Sequence, residues 1–162
     1  RIDKNTSGLL VIAKDEQTHA RLAKQFFDHT IGRRYVALVW GNFEEDEGTI
    51  TGNIGRSPRD RQKMFVFADG SDGKHAVTHW KVLKRYGYVT LVECRLETGR
   101  THQIRVQFSH AGYPLAGDAK YGAKEKGSLA LCAHHLELKH PRTGKRLSFT
   151  VKPEGEIFHS FV

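Results

Sequence analysis

Two short polar segments carry more chemical potential than a scaffold needs. The first is Arg1-Ile2-Asp3-Lys4-Asn5-Thr6-Ser7-Gly8, a dense polar run directly before an apolar stretch. Its scaffold reading is a turn in which Asp3 and Asn5 bond their own backbone. The second is Thr98-Gly99-Arg100-Thr101-His102-Gln103-Ile104-Arg105, whose scaffold reading is a capped helix start with Arg100 on the surface. Other chemistries are poorly supported. The chain has ten histidines, and His134-His135 is an obvious pair, but neighbours on a strand point to opposite faces and cannot chelate one ion together. There is no H-E-x-x-H and no paired C-x-x-C, so no metal is expected. Gly70-Ser71-Asp72-Gly73-Lys74 lacks the spacing and the strand–helix setting of a phosphate loop and reads as a flexible hairpin tip. Cys94 and Cys132 read as small apolar core residues.

The elements that must position these segments follow from hydrophobic period. Leu9 to Ala13 is a continuous apolar run, expected as a strand buried on both faces. Asp15 is an N-cap candidate, and Ala20, Leu22, Ala23, Phe26 and Phe27 then predict a helix over 15–29, ended by Gly32. Arg33 to Trp40 reads as a strand. A polar, glycine-rich stretch from Glu44 to Gly73 holds short strand candidates at 49–54 and 64–67. Strands are expected at 76–84 and 88–97, and a helix over 101–111 with Ile104, Phe108 and Ala111 on one face. Strand candidates at 129–138 and 147–151 complete a single α+β domain rich in antiparallel pairs.

Composition narrows the partner. Lys and Arg number 26 against 18 Asp and Glu, a net charge of +8 that favours a polyanion, nucleic acid before anionic membrane. No apolar run is long enough to span a membrane. Two cysteines are too few for a disulfide framework, so a reducing cytoplasm is the simpler home. The chain starts at Arg1, not Met, which is read as a domain truncated at its N terminus and leaves room for an upstream RNA-binding domain.

Taken with Tyr35, the two polar segments form a recognisable constellation. Asp3 in R-I-D-K-N-T-S-G-L, Tyr35 in R-R-Y-V-A-L-V-W-G, T-G-R-T-H-Q-I-R, G-Y-P-L-A-G-D-A-K-Y-G and A-H-H-L-E-L-K-H-P resemble, in order, the RluA-type RNA pseudouridine synthases. The resemblance covers nearly the whole chain. It implies conversion of a chosen uridine in ribosomal or transfer RNA to its C-glycoside isomer, without metal or cofactor; a monomer is expected. It also implies a mixed, mostly antiparallel sheet flanked by helices and loops, with the active cleft across its middle. Ile2, Gln107 and Cys132 depart from the family pattern at positions away from the presumed chemistry.

By this resemblance Asp3 is the catalytic nucleophile, and Arg105 is the cation that keeps it ionised where burial alone would protonate it. Tyr35 offers a flat face to the flipped uracil and a hydroxyl for the C5 proton. Among the substrate-binding positions, Arg1 fills the space that the flipped base vacates and Ile104 closes the base's other face. Arg100, His102 and Gln103 complete that set, the last two as loop-fixing hydrogen-bonders. Arg56, Arg59, Arg61, Lys63 and Lys74 are candidate phosphate contacts. Two competing readings are an RNA-binding module without catalysis and, with little support, a metal-dependent nuclease using the histidines.

Overall fold

The computed structural model describes residues 2–125 and 127–159. The first half of the chain forms β1 (Ser7–Gly8), α1 (Glu16–Phe27), β2 (Gly32–Trp40), β3 (Glu47–Arg56), β4 (Met64–Phe67) and β5 (Lys74–Arg85). The second half forms β6 (Val89–Leu96), α2 (Gln103–His110), a 3-10 turn (Ala119–Tyr121), β7 (Leu131–Lys139), β8 (Arg146–Thr150) and α3 (Glu156–His159). The strands make one eight-stranded sheet in the order β1-β7-β2-β6-β5-β3-β4, with β8 also paired to β7. Only β1 runs parallel to its neighbour among the described strands, so the sheet is mixed and mostly antiparallel, as expected.

β2 lies inside the sheet, between β7 and β6, and its sequence suits that place. Val36, Ala37, Leu38 and Val39 are apolar on both sides of the pleat, which suits a strand covered on both faces. Ala37 and Val39 join Val92, Cys94, Phe108 and Leu131 in the core on the α2 side. Val36 and Leu38 join Leu91, Cys132 and Phe158 on the other. Both cysteines are fully buried there, as their reading as core residues required. Asp15 caps α1 by accepting from the Thr18 amide at 2.7 Å, and Leu22 seats the helix against Ile31 and Leu138.

Three expectations need correction. Leu9 to Ala13 is not a strand: Leu9 donates one amide bond to the Ala133 carbonyl, but Leu10 is 48% and Ile12 77% exposed, and Val11 and Ala13 pack toward α1. The edge of β7 explains this, since β1 pairs with Cys132 and Ala133 and β8 takes residues 135–139, leaving no ladder for the rest of the run. The 70–74 segment is not a hairpin tip but part of a loop that passes over β3, because β4 and β5 flank that strand. Finally, α2 begins at Gln103, is buried on more than one face, and leaves Ala111 as an exposed cap. Ile104 and Phe108 face the sheet, whereas Val106 packs with Ile54, Val66 and Tyr121. Among the described residues no helix is long and apolar enough to cross a membrane.

Candidate active site

The turn carrying Asp3 is clamped to the sheet. Its carbonyl accepts from the Thr6 amide at 3.1 Å, and Asn5 takes a left-handed φ of 71°. Gly8 then lies against the β7 backbone, where a Cβ would stand 2.2 Å from the Ala133 carbonyl oxygen. Only glycine permits that approach, which gives the glycine of T-S-G its physical reason.

Tyr35 follows an irregularity in β2: Arg34 pairs with His135 but Tyr35 with Ala133, so β7 carries one extra residue. Such bulges re-aim side chains. Tyr35 and Asp3 line one cavity of about 150 Å³ together with Ile2, Thr6, Arg33, Gly99, Arg100, Gln103 and Ile104. That volume matches an engineered cavity known to hold a single benzene ring. The sequence residues Asp3, Tyr35, Ile104, Arg100 and Gln103 are thus brought together. Arg105 and His102 stand outside the lining, and Arg1 lies outside the described residues.

Arg105 holds two carboxylates unequally. Its Nε and Nη2 each donate to Asp118 at 2.9 Å, a bidentate pair in which Asp118 is 2% exposed. Its Nη1 comes only to 4.0 Å of the Asp3 carboxylate. The expected charge partner of Asp3 is therefore anchored by another acid and reaches Asp3 at longer range. Burial disfavours the Arg105 charge, but the Asp118 hydrogen bonds and the charges of Asp118 and Asp3 outweigh it and raise its pKa. The ring of Tyr121 supports the guanidinium, 5.1 Å from its Cζ.

His102 sits in left-handed backbone (φ 55°) at the start of α2. Its Nδ1 is 2.6 Å from the Tyr121 hydroxyl, which also accepts from the Met64 amide at 2.9 Å. The tautomer of the imidazole sets which of the two donates in that bond. Burial lowers the His102 pKa, with Arg105 and Lys120 adding to the effect against Asp3 and Asp118. Gln103 is 3% exposed and ties the loop together. Its carbonyl accepts from Thr98 and the Arg100 amide at 2.8 and 2.9 Å, while its amide donates to Thr78 and the Val77 carbonyl at 2.9 and 3.1 Å. Arg100 donates from Nε to the His75 carbonyl at 2.8 Å. The Tyr35 phenol is held above its ordinary pKa by burial, opposed by Arg33 and reinforced by Asp3.

Of the candidate phosphate contacts, Arg56, Arg59, Arg61 and Lys74 are exposed and Lys63 is half-buried. The loop that carries Arg59, Arg61 and Lys63 ends at Met64, whose bond to Tyr121 joins it to the Arg105 side of the site. His134 and His135 engage different carboxylates, Glu93 and Glu137, each at 2.9 Å. Sequence reasoning passed over Asp118, Tyr121 and Arg33. The first two stand in the quoted G-D-A-K-Y-G, but nothing in that string says that the acid is buried.

The family profile described as RNA pseudouridylate synthase matches residues 1–110. An uncharacterized RNA pseudouridine synthase of Bacillus subtilis, YlyB, is 51% identical over 152 residues, 92% of this chain and 49% of that protein. Ribosomal large subunit pseudouridine synthase D of Zymomonas mobilis is 46% identical over 160 residues, 92% of this chain and 50% of that protein. The solved structure of human RNA pseudouridylate synthase domain containing 1 superposes with a TM-score of 0.82 at 27% identity, covering 94% of this chain and 66% of that one. The chain spans about half the length of the curated relatives it matches. With its ordered motifs matched by a family profile, close relatives and a shared fold, this chain belongs to the RluA-type RNA pseudouridine synthases.

Proposed function

We propose that the protein isomerises a specific uridine in structured RNA to pseudouridine, with large-subunit ribosomal RNA as the substrate class, and that residues 1–162 act as one catalytic domain. The name of the Zymomonas relative supports the choice of RNA. The observation that carries the chemistry is one ring-sized cavity lined by Asp3, Tyr35 and Ile104, with the Arg105 guanidinium 4.0 Å behind the carboxylate.

In this reading the uridine leaves its stack, at a cost of a few kcal/mol, and the uracil enters between Tyr35 and Ile104. The Asp3 carboxylate attacks C1′ or removes a neighbouring proton. The N1–C1′ bond breaks with its electron pair going to the uracil, while the Arg105 guanidinium stands 4.0 Å from the Asp3 carboxylate. The base turns in place and C5 bonds to C1′ as the Asp3–C1′ ester breaks or, on the second route, as Asp3 returns the sugar proton; C5 then loses its proton and N1 gains one, so no net proton is consumed. The raised pKa of Tyr35 makes its hydroxyl a donor at neutral pH. It accepts the C5 proton only by passing its own to a base, and Asp3 is the carboxylate that lines the same cavity. His102 and Gln103 hold the loop that delivers Ile104 and Arg105 and carry no proton.

Tritium release from a [5-3H]uridine-labelled large-subunit ribosomal RNA transcript tests this. Release by the wild-type protein and its loss in Asp3→Ala are expected. RNA binding without release, or equal release by the variant, would overturn the assignment.

A further inference from the structure

Arg33 stands two residues before Tyr35 in the cavity wall, and no carboxylate among the described residues pairs with its charge. Its Nε is buried without a hydrogen-bond partner, and no described residue forms an ion pair with its guanidinium. The Phe26 ring of α1 lies 5.4 Å from its Cζ. Gly99 bounds the opposite side: a Cβ there would come within 2.2 Å of Nη1, so the missing side chain of Gly99 is the space that the guanidinium fills. Buried polar groups are rarely left unsatisfied, and a desolvated cation without an acceptor is costlier still. Burial accordingly lowers the Arg33 pKa, though not enough to threaten a guanidinium's charge.

The same side chain lines a second, larger groove of about 520 Å³ that adjoins the base cavity, with Leu96 and Arg33 common to both. His75, Arg95 and Arg146 line this groove, as does Glu97. Glu97 is already engaged by His79, and Arg146 by Glu137 and the Thr30 carbonyl. Arg33 therefore stands at the partition between a ring-sized cavity and a cationic groove. Uracil's carbonyls are neutral, whereas a phosphodiester carries the full negative charge that offsets a half-buried guanidinium. We propose that Arg33 binds a backbone phosphate of the RNA strand next to the target nucleotide, where the strand passes from the groove into the cavity. The identity of the polyanion rests on the pseudouridine synthase reading.

The test combines equilibrium binding of a fluorescently labelled, uridine-containing fragment of large-subunit ribosomal RNA between 50 and 200 mM KCl with tritium-release kinetics. Each single-strand phosphate contact contributes about 0.7 to the slope of log K against log salt. Arg33→Gln is expected to lower that slope by about 0.7, raise KM about tenfold and leave kcat within about threefold. Arg33→Lys retains the slope. Gly99→Ala, which displaces the guanidinium without removing it, gives a smaller rise in KM. Lys14→Gln on the exposed surface is the control for a generic loss of charge. Removing an unpartnered charge does not lower the melting temperature of Arg33→Gln, so weakened binding with an unchanged melt separates contact from misfolding. An unchanged slope and KM would overturn the proposal, as would a large loss of kcat with slope and KM intact, which would put Arg33 on the base instead. Binding is read without turnover, so a wild-type protein that shows the slope change yet releases no tritium would fail the isomerase reading and leave the phosphate contact standing.

Discussion

The unequal grip of Arg105 on two acids makes a prediction that sequence alone would not suggest. Asp3 and Asp118 face one guanidinium, but Asp118 is buried and bidentate at 2.9 Å, while Asp3 is partly exposed at 4.0 Å. Removing one partner of a buried pair costs about 3–5 kcal/mol, because the other charge is left desolvated. In Asp118→Asn, the nearby Asp3 and one retained acceptor keep the loss near the low end, about 3 kcal/mol. At about 2–4 °C per kcal/mol for a chain of this size, the melting temperature falls by roughly 6–12 °C. Asp3→Asn breaks only a long, partly solvated contact, worth less than about 1 kcal/mol, and shifts the melt by less than about 4 °C. Activity should divide differently. Asp3→Asn abolishes tritium release, whereas Asp118→Asn lowers kcat by about 10²-fold, the usual cost of a catalytic group displaced by about 1 Å. Thermal melts followed by circular dichroism, beside tritium release on the same preparations, read both. Equal melts for the two variants, or an Asp118→Asn protein as stable as wild type, would refute the division of labour. Pairing Arg105→Met with Asp118→Leu should recover most of the stability that Arg105→Met alone loses, without recovering activity.

Three further outcomes follow from the site. Tyr35→Phe keeps the ring in the cavity but loses the hydroxyl, so kcat should fall by about 10²-fold or more with KM little changed, and an unchanged kcat would remove Tyr35 from proton transfer. His102 and His134 both have pKa values lowered by burial, so the unfolded chain binds protons that the folded one refuses. Stability should hold above the ordinary histidine pKa, near 6.5, and decline as pH falls below it. His102→Asn, which tolerates the left-handed backbone, should flatten that decline in melting temperature, and a superimposable pH profile would contradict the neutral, Tyr121-bonded imidazole. Replacing Arg56, Arg59 and Arg61 together with Gln should reduce the salt slope of RNA binding by about 2, and a slope unmoved would mean that this exposed face is merely solvated.

Much of the site was legible in the chain because its residues are close in sequence or set in distinctive strings. Ile104 and Arg105 are adjacent on one helix, so one must face the sheet when the other turns away, and the order of motifs named Asp3 and Tyr35. The β2 run was legible for a different reason: apolar residues on both sides of a pleat suit only a covered strand. The Leu9 to Ala13 run has a similar composition yet leaves the ladder after the Leu9 amide, because β8 arrives from more than a hundred residues away to take the edge of β7. Hydropathy records what a segment would bury, not whether a neighbour has already claimed the place.

Ordered residue strings pointed, through their resemblance to a family, to that family and its mixed sheet, and named Asp3, Tyr35 and Arg105 as the candidate acid, phenol and guanidinium. Folding alone settled which carboxylate holds Arg105, that Tyr121 carries both His102 and Met64, and that the Arg33 Nε beside Gly99 has no hydrogen-bond partner among the described residues. Those facts concern burial and distance between segments far apart in the chain. An aspartate in a glycine-flanked turn looks the same in sequence whether it is solvated or sealed against a guanidinium, and desolvation, which sets its worth, exists only once the chain has folded around it.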